Sequence, residues 1–493
     1  MKTKLYLIIL AGFFSCFTMA QSPAGEAFFI DINAFNSDGL ARFMNCGNGD
    51  SLGLGDEFTI ELWMRLDDYV GNQKILGKTN GNFNSGYIIG LQNAKPYVEV
   101  FTPTNMELVD GAGGASIPLF NYWCHMAVTY NPGDSIVGYV NGRWSNSRSL
   151  PSLTAAANTN DFVLGVAPWD MVSFQSFGQL DEVRVWSKAL THDEVKARMH
   201  TQLTGNEDRL VGYWTFDGAT ASSISDESGN GANGVAQNPT GNDFPDSRAV
   251  IGSSTMSSMN NITGVWNGSI NPINTDYGLS IDKGNFATTT IDSTDYSVFG
   301  HDGESGTSIS NLPADAPTGA IRTEREWYFT TVGWPRADIY ANLADAAGSG
   351  VALNDSKPAT QYGLLRRTTS TGTFTLERIA STVTSGIVIF DNVQMKNGYY
   401  SVAVADADWI STGINEANAL VSSMFPNPAN DMFYITANEQ ATLTIVNALG
   451  QTVKTQQISH GSNEVSIANL ASGNYNITVM NGERIQTQKL IVE

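Results

Sequence analysis

Short runs of residues that alternate between apolar and polar are the feature of this sequence that most restricts its fold. In the run 58–64, Phe, Ile, Leu and Met occupy every second position, and the run 123–130 alternates in the same way. The run 136–140 leads into Asn141-Gly142, a pair typical of a tight hairpin turn. Alternation with a period of two predicts strands that bury one face. We therefore expect an all-β protein.

The composition supports this fold class and argues against one class of partner. Only 15% of the residues are charged, 48 are glycines, and the formal net charge is −21. Small polar residues between short alternating runs are typical of turns that join strands. An acidic surface repels phosphate backbones, so nucleic acid is not an expected partner. A chain of 493 residues is expected to form two or three domains.

Residues 1–20 have the pattern of a secretory signal peptide. Lys2 and Lys4 precede an apolar run over 5–14, and small or polar residues follow as far as Ala20. We expect cleavage after Ala20. The apolar run is too short for a permanent anchor, and no other segment is apolar enough to span a membrane. The mature chain is therefore expected to be exported and to lack a transmembrane segment.

Two cysteines, Cys46 and Cys124, follow the expected cleavage site. Each lies in a run with the pattern of a strand, and export places them in an oxidising compartment. A disulfide between them is permitted, but the sequence does not give the distance that separates them. A disulfide and a pair of buried free thiols are the two alternatives.

The C-terminal segment 424–493 combines several short motifs. Their residues are Pro426, Asn427, Pro428, Gly450, Gly473, Tyr475 and Lys489. In this order the motifs resemble the sorting domain of proteins exported by type IX secretion in Gram-negative bacteria. The resemblance implies a small immunoglobulin-like β-sandwich that is handled by the type IX secretion machinery. It also implies passage across the inner and outer membranes, followed by release or by anchoring at the cell surface.

Alternation independently predicts strands in this segment. Leu443 and Ile445 alternate with threonines, and the run 474–479 alternates in the same way. The pair Asn481-Gly482 is a further hairpin signal. These patterns predict a small antiparallel sandwich that contains no catalytic constellation.

Three runs in the first half of the chain form a characteristic succession. They are Phe-Thr-Ile-Glu-Leu-Trp at 58–63, Trp-Cys-His-Met-Ala-Val-Thr-Tyr at 123–130, and Gly-Gln-Leu-Asp-Glu-Val-Arg-Val-Trp at 178–186. This succession resembles the laminin-G-like, concanavalin A-like jelly-roll family. The resemblance implies two stacked antiparallel sheets, often a bound calcium ion, and glycans or proteins as ligands. We expect this domain over 21–241, with a short helix capped by Thr191 and Glu194.

Asp181 is the residue of this domain that most needs an explanation. It shares the alternation of Val183 and Val185, which predicts that all three face the core. A carboxylate there must be paired, hydrogen-bonded or metal-bound, because unpaired burial is costly. The family resemblance suggests calcium, with Asp226 and Asn230 as further oxygen ligands. The alternative is that Asp181 and Asp226 accept hydrogen bonds from backbone N–H groups.

Further strand-like runs, separated by polar turns, continue to about residue 408. They predict a second β-sandwich-like region over 242–408, and the Gly-rich run 226–231 could either close the first domain or begin this region. A polar linker over 409–423 leads to the sorting domain at 424–493. The expected fold class is all-β, with these sandwich domains in succession.

The jelly-roll family also includes glucanases, so a catalytic function must be considered. Glycoside hydrolysis requires a pair of acidic residues. A retaining glycosidase holds its two carboxylates roughly 5 Å apart. Glu61 has no acidic residue at 63 or 65, and Asp181 and Glu182 are adjacent, which predicts opposite faces of a strand. We therefore expect a protein that is not an enzyme. A glucanase-like glycoside hydrolase is the alternative.

The leading hypothesis is a secreted or surface-bound binding and adhesion protein that recognises glycans or extracellular proteins. Trp144 and Trp169 lie near predicted turns and could stack on sugar rings. The alternative for both is packing at the base of a loop. A further hypothesis is a structural component of the cell surface, in which the jelly roll is a spacer.

Overall fold

A computed structural model of the protein describes most of the chain. The described residues are 22–30, 42–54, 56–67, 72–79, 82, 84–101, 106–109, 116, 121–149, 158–169, 178–266, 278–282, 295–333, 336–348, 352–409, 420–447, 451–481 and 484–492. The expected signal peptide at 1–20, Gly450 of the sorting motif and Gly482 of the second predicted hairpin lie outside these ranges.

Strands make up nearly all of the regular structure in these residues. As far as Gln237 they are β1 (Phe28–Ile30), β2 (Phe43–Asn45), β3 (Phe58–Leu66), β4 (Asn72–Thr79), β5 (Gly86–Gln92), β6 (Lys95–Phe101), β7 (Met106–Val109), β8 (Trp123–Asn131), β9 (Ser135–Val140), β10 (Arg143–Ser149), β11 (Val163–Leu164), β12 (Gly178–Trp186), β13 (Leu210–Trp214) and β14 (Val235–Gln237), with a helix, α1 (His192–Arg198), between β12 and β13. From Asn260 to Val404 they are β15 (Asn260–Trp266), β16 (Leu279–Asp282), β17 (Tyr296–His301), β18 (Thr307–Ser308), β19 (Ile321–Thr323), β20 (Trp327–Val332), β21 (Arg336–Asn342), β22 (Tyr362–Arg367), β23 (Thr375–Ile379), β24 (Thr382–Thr384), β25 (Ile387–Gln394) and β26 (Gly398–Val404). The last are β27 (Val421–Phe425), β28 (Met432–Ala437), β29 (Ala441–Val446), β30 (Thr452–Ile458), β31 (Gly461–Ser466), β32 (Gly473–Asn481) and β33 (Arg484–Val492). Short 3-10 helices lie at Asp50–Leu52, Ser254–Ser258 and Ala359–Gln361.

Two antiparallel sheets of seven strands each form the first sandwich. The first sheet has the order β1-β12-β3-β8-β9-β10, with β13 paired to β12. The second sheet has the order β14-β2-β11-β4-β5-β6-β7. The predicted pair of antiparallel sheets is therefore confirmed.

The alternating runs bury the face that they predict. In β3, the apolar side chains at positions 58, 60, 62 and 64 belong to the core of the first sandwich and are at most 1% exposed. Asn141 and Gly142 have φ values of +51° and +68°, as a two-residue hairpin turn requires. Thr191 and Glu194 form the predicted capping box at the start of α1. These elements follow from local sequence.

One prediction about a strand face is wrong, because Asp181 does not face the core. Asp181 lies opposite Trp63 and Arg184 lies opposite Glu61, so β12 has one residue more than β3 between these two pairs. The extra residue forms a β-bulge near Glu182, whose φ is +50°. The bulge keeps the valines of β12 in the core but places Asp181 on the outer face of the sheet.

The Gly-rich run 226–231 closes the first sandwich. Asp226 accepts a hydrogen bond from the backbone N–H of Tyr213 in β13, and Ile224 pairs with Gly234 in an isolated bridge. β14 follows directly and pairs with β2. The run therefore leads the chain from the first sheet of the sandwich to the second.

The middle region is a second sandwich, as predicted. One sheet of eight strands has the order β15-β17-β20-β26-β19-β18, with β22 paired to β26 and β23 paired to β22. The other sheet has the order β16-β21-β25-β24, and apolar side chains of both sheets form one core. Both sandwiches belong to one compact unit, residues 1–406. The boundaries expected at 241 and 408 stay predictions.

A buried joint connects the two sandwiches of this unit. The rings of Trp63 and Trp266 meet edge to face with centroids 5.6 Å apart, and Trp266 Nε1 donates to the carbonyl oxygen of Trp123 at 2.9 Å. Ser22 Oγ lies 3.0 Å from the hydroxyl of Tyr296. The joint therefore covers part of the outer face of the first sheet with aromatic and apolar side chains.

Residues 407–493 form the second compact unit. Its sheets have the orders β27-β28-β31 and β30-β29-β32-β33. Leu443, Ile445 and Tyr475 lie in the core of this unit, which confirms the predicted small antiparallel sandwich. In the part of the chain that the structure describes, no helix has the length and apolar character needed to span a membrane.

Candidate functional site

A row of residues in register crosses the outer face of the first sheet. Neighbouring strands place opposite one another, in this order, Tyr213, Arg184, Glu61, Ala127, Tyr139 and Trp144. The row begins among buried charges and ends at an exposed indole. We regard this outer face as the candidate functional site.

Arg184 connects two buried acids of this face. Its Nη1 atom lies 3.5 Å from Glu61 Oε1, and its Nη2 atom lies 2.5 Å from Glu182 Oε2. The Tyr213 hydroxyl donates to the same Glu182 oxygen at 2.8 Å. The three charged side chains are at most 1% exposed. Because Glu182 reaches the outer face beside Arg184, the prediction that Asp181 and Glu182 face opposite sides is wrong.

Glu61 also faces an indole and an imidazole. Trp186 Nε1 donates to Glu61 Oε1 at 3.1 Å, and His125 Nε2 lies 3.4 Å from Glu61 Oε2. Burial raises the pKa of the Glu61 carboxyl, but His125 and Arg184 outweigh this effect and hold the pKa below its usual value. Burial lowers the pKa of the His125 imidazole. At neutral pH, a carboxylate therefore faces a neutral imidazole beside a guanidinium.

This charge network holds the segment after α1 against the sheet. Arg184 donates to the carbonyl oxygens of Arg198 at 2.9 Å and Thr201 at 2.5 Å. Trp63 Nε1 donates to the carbonyl oxygen of Met199 at 2.6 Å. The carbonyl oxygen of Arg198 also accepts from the N–H and the hydroxyl of Thr201, so the donors from the sheet add to a local turn and hold the end of α1 on the sheet.

His200 extends the network into the joint. Its Nδ1 atom lies 2.7 Å from the carbonyl oxygen of Val250, and its ring lies 5.6 Å from those of Trp63 and Trp266. Gly264 approaches the imidazole so closely that a Cβ there would lie 2.6 Å from the ring. Burial lowers the pKa of His200 to about 3, so the ring is neutral at neutral pH.

The geometry of Glu61 and Glu182 fits a structural role and not a catalytic one. A glycosidase presents its two carboxylates to a substrate that enters between them. Glu61 and Glu182 instead share one guanidinium and are closed off from solvent. Their arrangement fits a network that positions α1 and the joint on the sheet.

Trp144 ends the row at the edge of the sheet. β10 is the last strand in the sheet order, and the indole is 51% exposed. Tyr139, opposite Trp144, stacks on His192 of α1 with centroids 5.5 Å apart, and His192 Nε2 lies 2.7 Å from the carbonyl oxygen of Gly142. An exposed indole of this kind can stack on the apolar face of a sugar ring. Trp169 is half-buried.

A second charged cluster lies on the second sheet. Lys74 Nζ lies 3.5 Å from the centre of the Tyr97 ring and 3.7 Å from Glu99 Oε2, and the Tyr97 hydroxyl donates to Glu99. Burial lowers the pKa of Lys74 to about 8. Lys74 is only 3% exposed, so this cluster is a buried ion pair and not an open ligand site.

Asp181, the first residue suggested as a calcium ligand, binds protein donors. One oxygen accepts from the hydroxyl of Ser247, and the other accepts from the backbone N–H of Glu182 at 2.6 Å. Burial raises the pKa of the Asp181 carboxyl well above its usual range. The hydroxyl of Ser247 ties Asp181 to the connection between the two sandwiches.

Asp226 and Asn230 are engaged within their own loop. Asp226 accepts from the backbone N–H groups of Tyr213, Ser228 and Ala232 at 3.0 Å each, and the Asn230 amide donates to Ser228 Oγ at 3.1 Å. Among the described residues, no three His, Cys, Asp or Glu side chains are grouped as metal ligands. Asp181 is bonded to Ser247 and Glu182, whereas Asp226 and Asn230 are bonded to Ser228, and calcium binding by these three residues stays a prediction.

Cys46 and Cys124 are both free and buried. The suggested disulfide is therefore not formed in the structure, and the alternative of two buried thiols describes them. Both belong to the core of the first sandwich, where burial raises the pKa of each thiol. Because the thiolate is the reactive form, neither side chain is activated for chemistry.

The described residues of the sorting motif occupy two places in the second unit. Asn427 contacts the backbone of β33, the strand that contains Lys489. Gly473 begins β32, and the Tyr475 hydroxyl donates to the carbonyl oxygen of Ala471 at 2.8 Å. The motif thus gathers at the last two strands and at the segment that precedes β28.

No sequence motif predicts the charged network around Arg184. Glu61, His125 and Arg184 lie far apart in the sequence and come together only through strand pairing. A signal is nevertheless present, because each is a polar position in a strand whose other face is apolar. That this outer face is buried depends on α1 and on the joint, which the pattern of a single strand does not reveal.

Two family models match the chain. Residues 42–196 match the concanavalin A-like lectin/glucanases superfamily, and residues 423–493 match the secretion system C-terminal sorting domain. The first sandwich is a concanavalin A-like domain. The sorting domain directs export through type IX secretion to the cell surface or the exterior. A comparison with curated proteins found no match.

Solved structures resemble parts of the chain. A candidate carbohydrate-binding protein of Bacteroides ovatus is 21% identical with a TM-score of 0.34, over 45% of this chain and 60% of that chain. Domain 4 of the extracellular arabinanase AbnA from Geobacillus stearothermophilus is 22% identical with a TM-score of 0.24, over 30% of this chain and 68% of that chain. The sialidase CBM40 of Ruminococcus gnavus is 14% identical with a TM-score of 0.27, over 34% of this chain and 91% of that chain. Because these TM-scores are low, the fold assignment rests on the family models and on the sheets themselves.

Proposed function

We propose that the protein is an exported, non-catalytic binding protein that recognises glycans or extracellular proteins through its concanavalin A-like domain. The observation that carries this proposal is the exposed indole of Trp144 on the edge strand β10. An aromatic ring offers a large apolar contact area and stacks on the flat face of a ligand ring. Trp144 lies opposite Tyr139, and Tyr139 stacks on His192 of α1, so the indole projects from a strand that pairs with a packed part of the sheet.

The buried acids support binding over hydrolysis. Glu61 and Glu182 are bound to Arg184, and Asp181 is bound to Ser247. All three carboxylates are at most 1% exposed. A polysaccharide could reach none of these three without displacing α1 or the joint.

Replacing Trp144 with alanine is expected to weaken ligand binding by about tenfold, because an aromatic contact contributes roughly 0.5–1.5 kcal/mol beyond its buried area. The mature chain is first screened against a glycan array and a panel of extracellular matrix proteins, with and without calcium. Calorimetric titration then measures the affinity of each variant, and of the unchanged protein, for the ligand that the screen identifies. Trp144→Phe keeps a ring and should retain most of the affinity.

Val235→Ala is the matched control for this experiment. Val235 is another exposed apolar residue, 43% exposed, on β14 at an edge of the second sheet. This variant should bind as the unchanged protein does. Equal affinity of Trp144→Ala and the unchanged protein would place the ligand elsewhere. Absence of any saturable ligand would favour a structural surface component, and release of reducing sugar from a polysaccharide would favour the glucanase alternative.

A further inference from the structure

The Pro-Asn-Pro segment of the sorting domain lies against the outer edge of its last strand. Asn427 Nδ2 donates to the carbonyl oxygen of Lys489 at 2.7 Å, and Asn427 Oδ1 accepts from the N–H of Ile491 at 2.8 Å. The N–H of Ala429 donates to the carbonyl oxygen of Ile491 at 2.9 Å, and Ala429 forms a parallel bridge with Val492. The opposite edge of β33 pairs with β32 over the full length of the strand.

The carboxamide of Asn427 takes the place of the backbone N–H and C=O groups of one residue in a neighbouring strand. Lys489 and Ile491 are two residues apart, so their backbone groups point to the same side of β33. A parallel strand on that side would donate an N–H to the first residue and accept one from the second, as the Asn427 side chain does. The side chain therefore occupies the position at which a further strand would bond.

The neighbours of Asn427 cannot extend the sheet. Pro426 and Pro428 have no backbone N–H, so they offer no donor to a further strand. Natural sheets protect their edges with proline or with covering loops, because an open edge pairs with other chains. Both features are present in this short segment.

β33 is a strand that needs such protection. Its end reads Leu490-Ile491-Val492, a run of residues that favour strands. Leu490 and Val492 are buried in the core, whereas Ile491 is 36% exposed. An apolar strand end with an accessible edge is a site for pairing between chains.

We propose that Pro426-Asn427-Pro428 is an edge cap that prevents β33 from pairing with β33 of a second copy of this chain. The second copy is the occupant that fits, because two identical edges related by a two-fold axis present the same groups to each other. Such a pair would also place an exposed Ile491 from each copy near the contact. The motif thereby has a task in solubility that is separate from its use in export.

The test replaces Asn427 with alanine in the mature full-length chain. Sedimentation velocity over a concentration series should show self-association that is tightened by about tenfold, because the side chain no longer competes with a second strand for the backbone groups of Lys489 and Ile491. Hydrogen exchange of a peptide covering 484–492 should be faster than in the unchanged chain at low concentration and slower at high concentration. Asn474→Ala is the matched control, because Asn474 is exposed and lies opposite Ile491 on β32.

A second variant separates pairing through β33 from other association. Ile491→Lys, added to Asn427→Ala, puts a charge on the strand edge and should return the protein to the self-association of the unchanged chain. If Asn427→Ala fails to fold, Asn427→Ser is used instead, because its short hydroxyl side chain adds no charge and cannot make both hydrogen bonds, so self-association should again increase. The proposal is overturned if a folded variant at Asn427 associates no more than Asn474→Ala does.

Discussion

Replacement of Arg184 with methionine is expected to lower the free energy of unfolding of the unit 1–406 by about 3–5 kcal/mol. Glu61 and Glu182 would stay buried without their shared counter-charge. The carbonyl oxygen of Thr201 would lose the donor from Arg184, and that of Arg198 would keep only the donors of Thr201. Urea unfolding of the mature chain, followed by tryptophan fluorescence, measures the change.

Arg148→Met is the matched control, because Arg148 is exposed on β10 of the same sheet. Its effect should stay within about 1 kcal/mol, because the interactions of an exposed arginine contribute little to stability. Adding Glu61→Gln and Glu182→Gln to Arg184→Met removes the unpaired charges and should recover part of the lost stability. The structural role assigned to the network is wrong if Arg184→Met costs no more than Arg148→Met.

Acidification is expected to destabilise the same unit through the histidines of the network. The pKa of His200 is about 3 in the folded state, against an ordinary value of 6.5. Between these values the unfolded chain binds a proton that the folded chain does not. The stability that the neutral His200 ring contributes is therefore fully present above pH 6.5, and it falls by about 1.4 kcal/mol for each pH unit below that value. Burial shifts the pKa of His125 in the same direction.

The surroundings of His200 explain why protonation is costly. Its ring faces Trp63, Trp266 and the carbonyl oxygen of Val250, and the charged or titratable groups that act on it are His125 and Arg184. A positive charge on His200 would thus be buried beside Arg184 without a carboxylate of its own.

Urea unfolding at intervals from pH 7 to pH 5 tests this prediction. His200→Gln should reduce the slope of stability against pH by about one proton, whatever its effect at pH 7. Gln202→Ala is the control, because Gln202 donates to the carbonyl oxygen of Pro23 and its loss removes a contact without removing a titrating group. Equal slopes for His200→Gln and the unchanged chain would contradict the assignment.

Local pattern was enough to predict most of the strands and their turns. The core positions of β3, the Asn141-Gly142 turn and the capping box of α1 each depend on residues that are close in sequence. Their geometry is set by short-range constraints, so a single sequence contains the information. The sorting domain belongs to the same class, because its alternating strands and motif residues lie within one short segment.

The strand face of Asp181 could not be predicted from alternation. A bulge adds one residue to one strand only, and every alternation counted across it is then shifted. The sequence around Glu182 contains no glycine or proline that would mark the irregularity. Because the bulge was not visible in the sequence, the alternation placed Asp181 on the core face of β12, although it lies on the outer face.

Patterns within single segments were sufficient to predict the all-β class, the concanavalin A-like and sorting domains, and the route of export, because periodic strands and sorting motifs are local properties. The three-dimensional fold was needed to show that Glu61, Glu182 and Arg184 meet under α1, that Cys46 and Cys124 are unpaired, and that Asn427 bonds to the edge of β33. Those outcomes depend on register and on distances between residues far apart in the chain. Strand pairing and packing set such distances, and no local pattern records them.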